Sequence, residues 1–484
     1  MKEKNELRKK TFSGLIWTFS DLVINQGLQF IIQIVLARLL LPEEFGLIGM
    51  ITIFIAVSNS IVDSGFSNAL IREDEVTQED YSTVFYFNLG TSIILYIILY
   101  FSSPSIGSFF SEPQLISVLR VLAITLIINS FGLIQKTKMT RELEFKLQMV
   151  INMISSITSG IGAIILAYLG FGIWSLVFRT IILQGVQAIM LCFFNRWWPS
   201  FVFSIKSFKK LFGFGWKLLV SGLIDTTYNN LYYVIIGKIY SSTDLGYYTN
   251  AQKLRDVASN SISLAVQKVT YPVLSNIQSE EERLRIAYRK MIRSAVYVTF
   301  PFMFGLLIIA KPLITILFGE NWVNSIVYFQ ILCIAGMLYP LHALNLNILQ
   351  VKGRSDLFLR LEIIKKGVSV SLIIIAIILK FRIDNLIWIM VLNSVICFFI
   401  NSYYSKSIIG YSTFQQLKDI SKIFIVTILM GIIACIPIFL NMDSNFLLLI
   451  IQVLLGIISY IIFSKILKLE EFKVILTLLI KKGE

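Results

Sequence analysis

The chain predicts an all-α polytopic membrane protein of about 14 transmembrane helices, on three observations. Its composition is 56% hydrophobic with only 15% charged residues, and its mean hydropathy is +0.76. A soluble domain carries roughly a quarter charged residues, so lipid is the expected solvent. Apolar runs of roughly 20 residues recur from end to end, the length that a hydrocarbon layer of about 30 Å requires. The third observation is where the formal charge of +14 sits: the bases collect in alternate connections between the runs.

The runs fall near residues 11–40, 44–71, 82–103, 114–136, 147–169, 173–195, 213–240, 244–272, 286–310, 323–350, 358–379, 384–405, 420–440 and 445–465. Behind the polar Met1–Lys10, the first run is too long for the apolar region of a signal peptide and reads as a span. Counted from a cytoplasmic N-terminus, the inner connections carry Lys136, Lys138, Arg141 and Lys146, then Lys206, Lys209 and Lys210. Arg283, Arg285, Arg289, Lys290 and Arg293 follow, then Lys352, Arg354, Arg360, Lys365 and Lys366, and finally Lys406, Lys418 and a lysine-rich tail. The outer connections hold only Arg38, Lys238, Lys311, Lys380 and Arg382. This asymmetry predicts an even number of spans with both termini cytoplasmic. The acidic connection 72–81 departs from the pattern, but acids weigh little in it. Basicity thus encodes orientation, and no nucleic-acid partner is expected. Pro301 and Pro340 are expected to interrupt the ninth and tenth spans.

Two stretches placed 200 positions apart resemble one another. Val35–Leu47 reads V-L-A-R-L-L-L-P-E-E-F-G-L, and Ile235–Tyr247 reads I-I-G-K-I-Y-S-S-T-D-L-G-Y. Ala37 aligns with Gly237, Arg38 with Lys238, Glu44 with Asp244 and Gly46 with Gly246. Six spans separate the copies, so the halves are parallel repeats. A weaker echo pairs Pro104…Phe110-Ser-Glu112 with Pro312…Phe318-Gly-Glu320. The expected organisation is an N-terminal lobe at 1–195, an interfacial cytoplasmic linker at 196–212 and a C-terminal lobe at 213–406. Residues 407–484 add two helices and an amphipathic tail from Leu467 to Lys482. Such chains keep their working site between the repeats.

Enzymatic readings find little support. The outer connections are short, and no phosphate-binding G-x-x-x-x-G-K-[ST], H-E-x-x-H, EF-hand loop or nucleophile elbow occurs. No catalytic residue, resident cofactor or metal is expected. Cys192, Cys333, Cys397 and Cys435 lie within apolar spans without metal-like spacing, and the single His342 reads as structural.

The informative residues are polar ones placed where lipid should be. Asp21, Asn25, Gln29 and Gln33 recur every four residues along one face of the first span. Asp225 and Asn229 align with Asn25 and Gln29 in the seventh, which Lys217 opens. The eighth adds Lys253, Asp256 and Asn260, the second adds Asp63, and Arg179 lies deep in the sixth. Facing acyl chains, each carboxylate or amide would cost a few kcal/mol. They either hydrogen-bond neighbouring helices or line a hydrated cavity, and the repeated stripe favours a cavity bordered by spans one, two, seven and eight. Asp21, Asn25, Gln29, Gln33, Arg179, Lys217, Asp225, Asn229, Lys253 and Asn260 are the candidate substrate contacts. Lys253 and Asp256, three apart, can also neutralise one another. Buried cations suit an anionic load such as a diphosphate. Asp21, Asp63, Asp225 and Asp256 are the candidate sites for a coupling H+ or Na+.

Two six-span lobes plus two helices, with the repeated turn, resemble the MOP superfamily of exporters, and within it the Wzx-like polysaccharide flippases of the colanic and teichuronic acid type. The resemblance is carried by S-G-L-I-W-T-F at 13–19, L-A-R-L-L-L-P-E-E-F-G-L-I-G-M at 36–50 and D-S-G-F-S-N-A-L-I-R-E at 63–73. Q-K-T-K-M-T-R-E-L-E-F-K at 135–146 and L-Q-V-K-G-R-S at 349–355 add to it. It implies translocation of an undecaprenyl-diphosphate-linked oligosaccharide across the bacterial cytoplasmic membrane by alternating access, with membrane lipids, a polysaccharide polymerase and glycosyltransferases as partners. No single family residue carries over. The alternatives are a multidrug or cation exporter of the same superfamily, and an integral-membrane glycosyltransferase or polymerase.

Overall fold

The computed structural model describes residues 2–440 and 444–473, the side chains of 2–12, 15, 260–269 and 440 excepted. All regular structure among the described residues is helical. The chain divides into two compact units, residues up to 249 and residues from 250 onward.

In the first unit, α1 (Lys2–Leu39) is followed by α2 (Pro42–Asp63), where proline occupies the first turn and Glu44 reaches back to the Leu41 amide at 2.8 Å. Ser64 and Gly65 both adopt left-handed backbone (φ 47° and 73°), which breaks the path before α3 (Phe66–Arg72). A Cβ on Gly65 would sit 2.5 Å from the Gly215 carbonyl oxygen, so this break is also a close backbone crossing. Thr77 and Asp80 cap α4 (Gln78–Phe110) reciprocally, at 3.0 and 3.2 Å. Then come α5 (Gln114–Leu122), α6 (Ile124–Arg141), α7 (Phe145–Tyr168) and α8 (Ile173–Asn195). After the linker, α9 (Ile205–Asn229) and α10 (Leu231–Ile239) lead to α11 (Ser242–Asn276), inside which the two units divide.

The repeated turns meet within this unit. A Cβ on Gly46 would overlap the Ser242 carbonyl oxygen, and a Cβ on Gly246 would overlap that of Pro42. Since 42 and 46 align with 242 and 246, the contact is reciprocal: each glycine faces the residue four before the other.

The second unit continues with α12 (Glu281–Ile308), α13 (Ala310–Phe318), α14 (Ser325–Met337), α15 (Tyr339–Val351) and α16 (Ser355–Ile378). It closes with α17 (Ile383–Ser402), α18 (Ser405–Ile409), α19 (Thr413–Cys435) and α20 (Asn445–Ile466). Pro340 stands at the break between α14 and α15, whereas Pro301 lies inside an unbroken α12.

Small polar groups are sheltered inside, while many large apolar side chains face outward, as lipid allows. Ser92, Ser103, Ser155 and Ser159 are buried and donate to carbonyls three or four residues back in their own helices. Ile94, Phe101, Ile165 and Ile458 face outward. Among the described residues, eleven helices are long and apolar enough to cross a membrane. The other three expected spans are helical but too polar to qualify. α9 is broken from α10 at Asn230, α11 carries Lys253, Arg255 and Asp256, and α16 carries Arg360, Glu362, Lys365 and Lys366. Such segments cross a membrane only when neighbouring protein or water meets their charges.

The linker is tied down more firmly than a headgroup-lying segment requires. Trp197 is buried among Phe66, Tyr81, Phe85 and Ile134, its carbonyl accepting from Gln135 at 2.7 Å. The Ser200 and Ser204 amides donate to Ser82 and Thr83. Trp198, Phe201 and Phe203 remain exposed beside Lys206 and Lys209, as an interfacial belt would be. Lys210 pairs with Glu73 at 2.6 Å, a hydrogen bond that raises its pKa. Of the expected amphipathic tail, residues 467–473 are described. They dock rather than float: Leu469 and Glu471 are buried, and Arg293 pairs with both Glu470 and Glu471. Residues 474–482 of that expectation lie outside the described residues.

A buried polar knot fixes one end of the second unit. The Asn345 side-chain oxygen accepts from Tyr288 at 3.0 Å, Ser405 at 2.9 Å and Gln416 at 3.1 Å, and its amide donates to Leu341 and to Gln416. Asn345→Ala strands several of these groups at once and is expected to cost about 3 kcal/mol or more. A thermal-unfolding shift of the purified protein no larger than that of a surface Asn→Ala control would refute the assignment.

Candidate functional site

The first-span stripe forms a hydrogen-bonded ladder running through α1, α7 and α8. Arg179 of α8 donates to the Gln29 side-chain oxygen, and Gln29 donates to Ser156 of α7 at 3.1 Å. Ser156 donates to Asn25 at 3.0 Å, and Asn25 donates to the Asp21 carboxylate. A second branch reaches the same carboxylate, Gln187 donating to Asn152 at 2.7 Å and Asn152 to Asp21 at 3.1 Å. Every link donates in one direction, from the cation to the anion, so each bond polarises the next. The ladder selects a face toward spans five and six, rather than toward spans two, seven and eight with which the sequence grouped it. The reason is local, because an amide in lipid takes the nearest partner and Asn152, Ser156 and Gln187 supply it. Gln33 is buried one turn further along.

Arg179 carries the chemistry of this ladder. Its bond to Gln29 is its one polar contact among the described residues, and no carboxylate stands within ion-pair reach. A half-buried guanidinium with most of its five donors unused is an anion receptor.

α9 supplies a second polar surface. Lys217, Ser221, Asp225 and Asn229 recur every four residues and are all exposed. Trp216, Val220 and Ile224, one position earlier, are exposed too, at 45%, 46% and 53%. One helix thus presents an apolar strip and a polar strip about 100° apart, which suits a border between lipid and water. On its packed side Thr226 meets Ser60 at 3.2 Å, and the backbone crosses at Gly215.

The remaining candidates are dispersed. Asp63 accepts from the amide and hydroxyl of Ser67 at 3.2 and 2.5 Å, serving the first turn of α3. In the second unit Lys253 is exposed, whereas Asp256 pairs with Arg255 at 3.1 Å. Arg255 is buried against the Tyr339 ring. The pairing of Lys253 with Asp256 that sequence spacing allows is therefore replaced by one between chain neighbours, because burial leaves the Arg255 guanidinium in need of an anion. The Asn260 side chain lies outside the described residues. His342 is half-buried and satisfied, Nε2 facing Ser394 at 3.0 Å and Nδ1 facing Asn401 at 3.4 Å. No group of three or more metal-ligating side chains occurs among the described residues.

The residues that sequence reasoning missed are Asn152, Ser156, Gln187, Ser221 and Arg255. A signal existed for the first two: four apart, they form a polar stripe in the fifth span, as in the first.

The family model described as "Polysaccharide biosynthesis protein" matches residues 35–327. The teichuronic acid biosynthesis protein TuaB of Bacillus subtilis (strain 168) is 28% identical over 432 residues, covering 88% of this chain and 89% of its own. The lipopolysaccharide biosynthesis protein WzxC of Escherichia coli (strain K12) is 25% identical over 376 residues, covering 76% and 75%. Among solved structures, the lipid II flippase MurJ in an inward closed conformation superposes with a TM-score of 0.73 at 17% identity, covering 94% of this chain and 98% of that one. The all-helical membrane fold read from the sequence is thus present, and the succinoglycan biosynthesis transport protein ExoT of Rhizobium meliloti (strain 1021), 26% identical over 315 residues and covering 65% of this chain and 64% of its own, is a transport protein by name. The chain belongs to the polysaccharide biosynthesis protein family, as a multi-pass membrane transporter.

Proposed function

We propose that the chain moves an undecaprenyl-diphosphate-linked oligosaccharide from the cytoplasmic to the outer leaflet of the bacterial cytoplasmic membrane, with both termini cytoplasmic. Lobes at about 1–195 and 213–406 rock about a polar cavity while the prenyl tail stays in lipid. A sugar chain taken through hydrocarbon unaided would leave many hydroxyls unpaired, each at several kcal/mol. Polar strips substitute for the lost water.

The observation that carries this reading is Arg179: an intramembrane guanidinium with no carboxylate partner among the described residues, aimed by Gln29 at one end of the ladder. A drug exporter for cations would favour intramembrane acids, whereas a diphosphate favours an uncompensated base. Lys217 of the first unit and Lys253 of the second, both exposed, are the other candidate bases. Of the candidate coupling sites for H+ or Na+, Asp225 on the exposed strip of α9 is the best placed to exchange an ion with water. A polysaccharide polymerase and glycosyltransferases act on the same lipid-linked glycan.

Purified chain reconstituted in proteoliposomes is expected to expose a fluorescent prenyl-diphosphate oligosaccharide to a membrane-impermeant quencher faster than protein-free vesicles do. Equal quenching rates with and without protein would sink the proposal. So would a deletion strain with unchanged surface polysaccharide and altered drug susceptibility.

A further inference from the structure

At one end of the second unit, the first turns of α12, the end of α18 and the first turns of α19 enclose a polar cavity of about 390 Å³. Its charged lining is Glu282, Arg285, Arg289, Lys418 and Asp419, three cations against two carboxylates, a net charge of +1. The balance of hydrogen-bonding capacity is more uneven than the charge. Glu282 accepts from Arg285 Nη2 through both oxygens, at 2.9 and 2.8 Å. Asp419 accepts from Arg289 Nε and Nη2, each at 2.5 Å, and from the Tyr411 hydroxyl at 2.7 Å.

Both acids are therefore occupied, while donors remain. Among the described residues, Arg285 keeps Nε and Nη1, Arg289 keeps Nη1, and the Lys418 ammonium has no side-chain partner. The left-handed Gly410 (φ 66°) brings backbone, and no side chain, against Arg285: a Cβ there would lie 3.5 Å from Nη1. The capped N-terminus of the 23-residue α19 adds its positive dipole end.

We infer that this cavity binds a phosphoester anion. Its donors come from three separate side chains, which suits the three-oxygen face of a phosphate better than the two oxygens of a planar carboxylate. Both α12 and α19 begin their apolar spans here, so the cavity opens at headgroup depth. The phosphoester is that of an anionic phospholipid or of a soluble phosphate compound. This site is separate from the transport reading and stands or falls without it.

The test uses the full chain. Inorganic phosphate is added to lipid-free protein in detergent, with chloride at matched ionic strength as the reference, and thermal stabilisation is followed. In parallel, nanodiscs containing phosphatidylglycerol are compared with purely zwitterionic ones. The variants are Lys418→Gln and Arg285→Gln, with Lys290→Gln on the same helix end as a control. Stabilisation by phosphate, weakened about tenfold in apparent affinity by Lys418→Gln and spared by Lys290→Gln, supports a site open to soluble phosphate. A Lys418-dependent stabilisation seen only with phosphatidylglycerol assigns the site to lipid. If neither probe binds, or if Lys290→Gln weakens binding as much as Lys418→Gln, the inference is overturned. Should Arg285→Gln fail to fold, the exposed Lys418 variant still decides the matter.

Discussion

Arg179→Ala is expected to abolish surface polysaccharide export while leaving the amount of membrane-inserted protein unchanged. The guanidinium has no ion pair to lose, so its removal strands only the Gln29 oxygen, a cost of about 1 kcal/mol. Against a diphosphate the loss is far larger. Each charge-assisted bond is worth about 1.5–3 kcal/mol, so two of them account for more than a hundredfold in rate. Arg179→Lys keeps the charge without the planar fork and is expected to retain partial export. Lys253→Ala is expected to impair export as well. The measurement is cell-surface glycan by immunoassay, normalised to chain abundance in isolated membranes. Wild-type glycan from Arg179→Ala cells at equal abundance would remove Arg179 from the site, and with it the observation on which the transport reading rests.

Gly46→Val or Gly246→Val is expected to remove folded protein altogether. At these positions the obstacle is the carbonyl of the opposite turn, which cannot rotate away as a side chain can. Overpacking against movable groups costs about 1–3 kcal/mol, and a backbone-on-backbone clash exceeds that. Gly237→Ala offers a graded comparison, because a Cβ there first meets the flexible Met50 side chain at 2.8 Å. The expected order in membrane-protein yield and in detergent melting temperature is wild type, then Gly237→Ala, with both valine variants far below. Normal yield from either valine variant would show that the turns separate freely.

The helical membrane fold was legible because the hydrocarbon layer imposes both a length and a polarity on every span. The similarity of the two turns was legible too, and their glycines are where the two turns touch. Polarity hid part of the span count: α9, α11 and α16 are helices whose charges take them below an apolar threshold. At the candidate site, the four-residue spacing from Asp21 to Gln33 revealed a stripe but not what it faces. A period gives the face of one helix, whereas its partners Asn152, Ser156 and Gln187 are set by how helices pack, which spacing does not encode. Arg255 was missed for a related reason: the burial that leads it to Asp256 is set by packing, which spacing does not encode.

The reciprocal meeting of Gly46 and Gly246 bears on how such a contact is written in a sequence. Main-chain atoms make that contact, so what it demands of the sequence is two missing side chains and not a matched pair of them. A requirement met by omission leaves little trace in composition or hydropathy, and it is visible only as the same letter standing 200 positions apart.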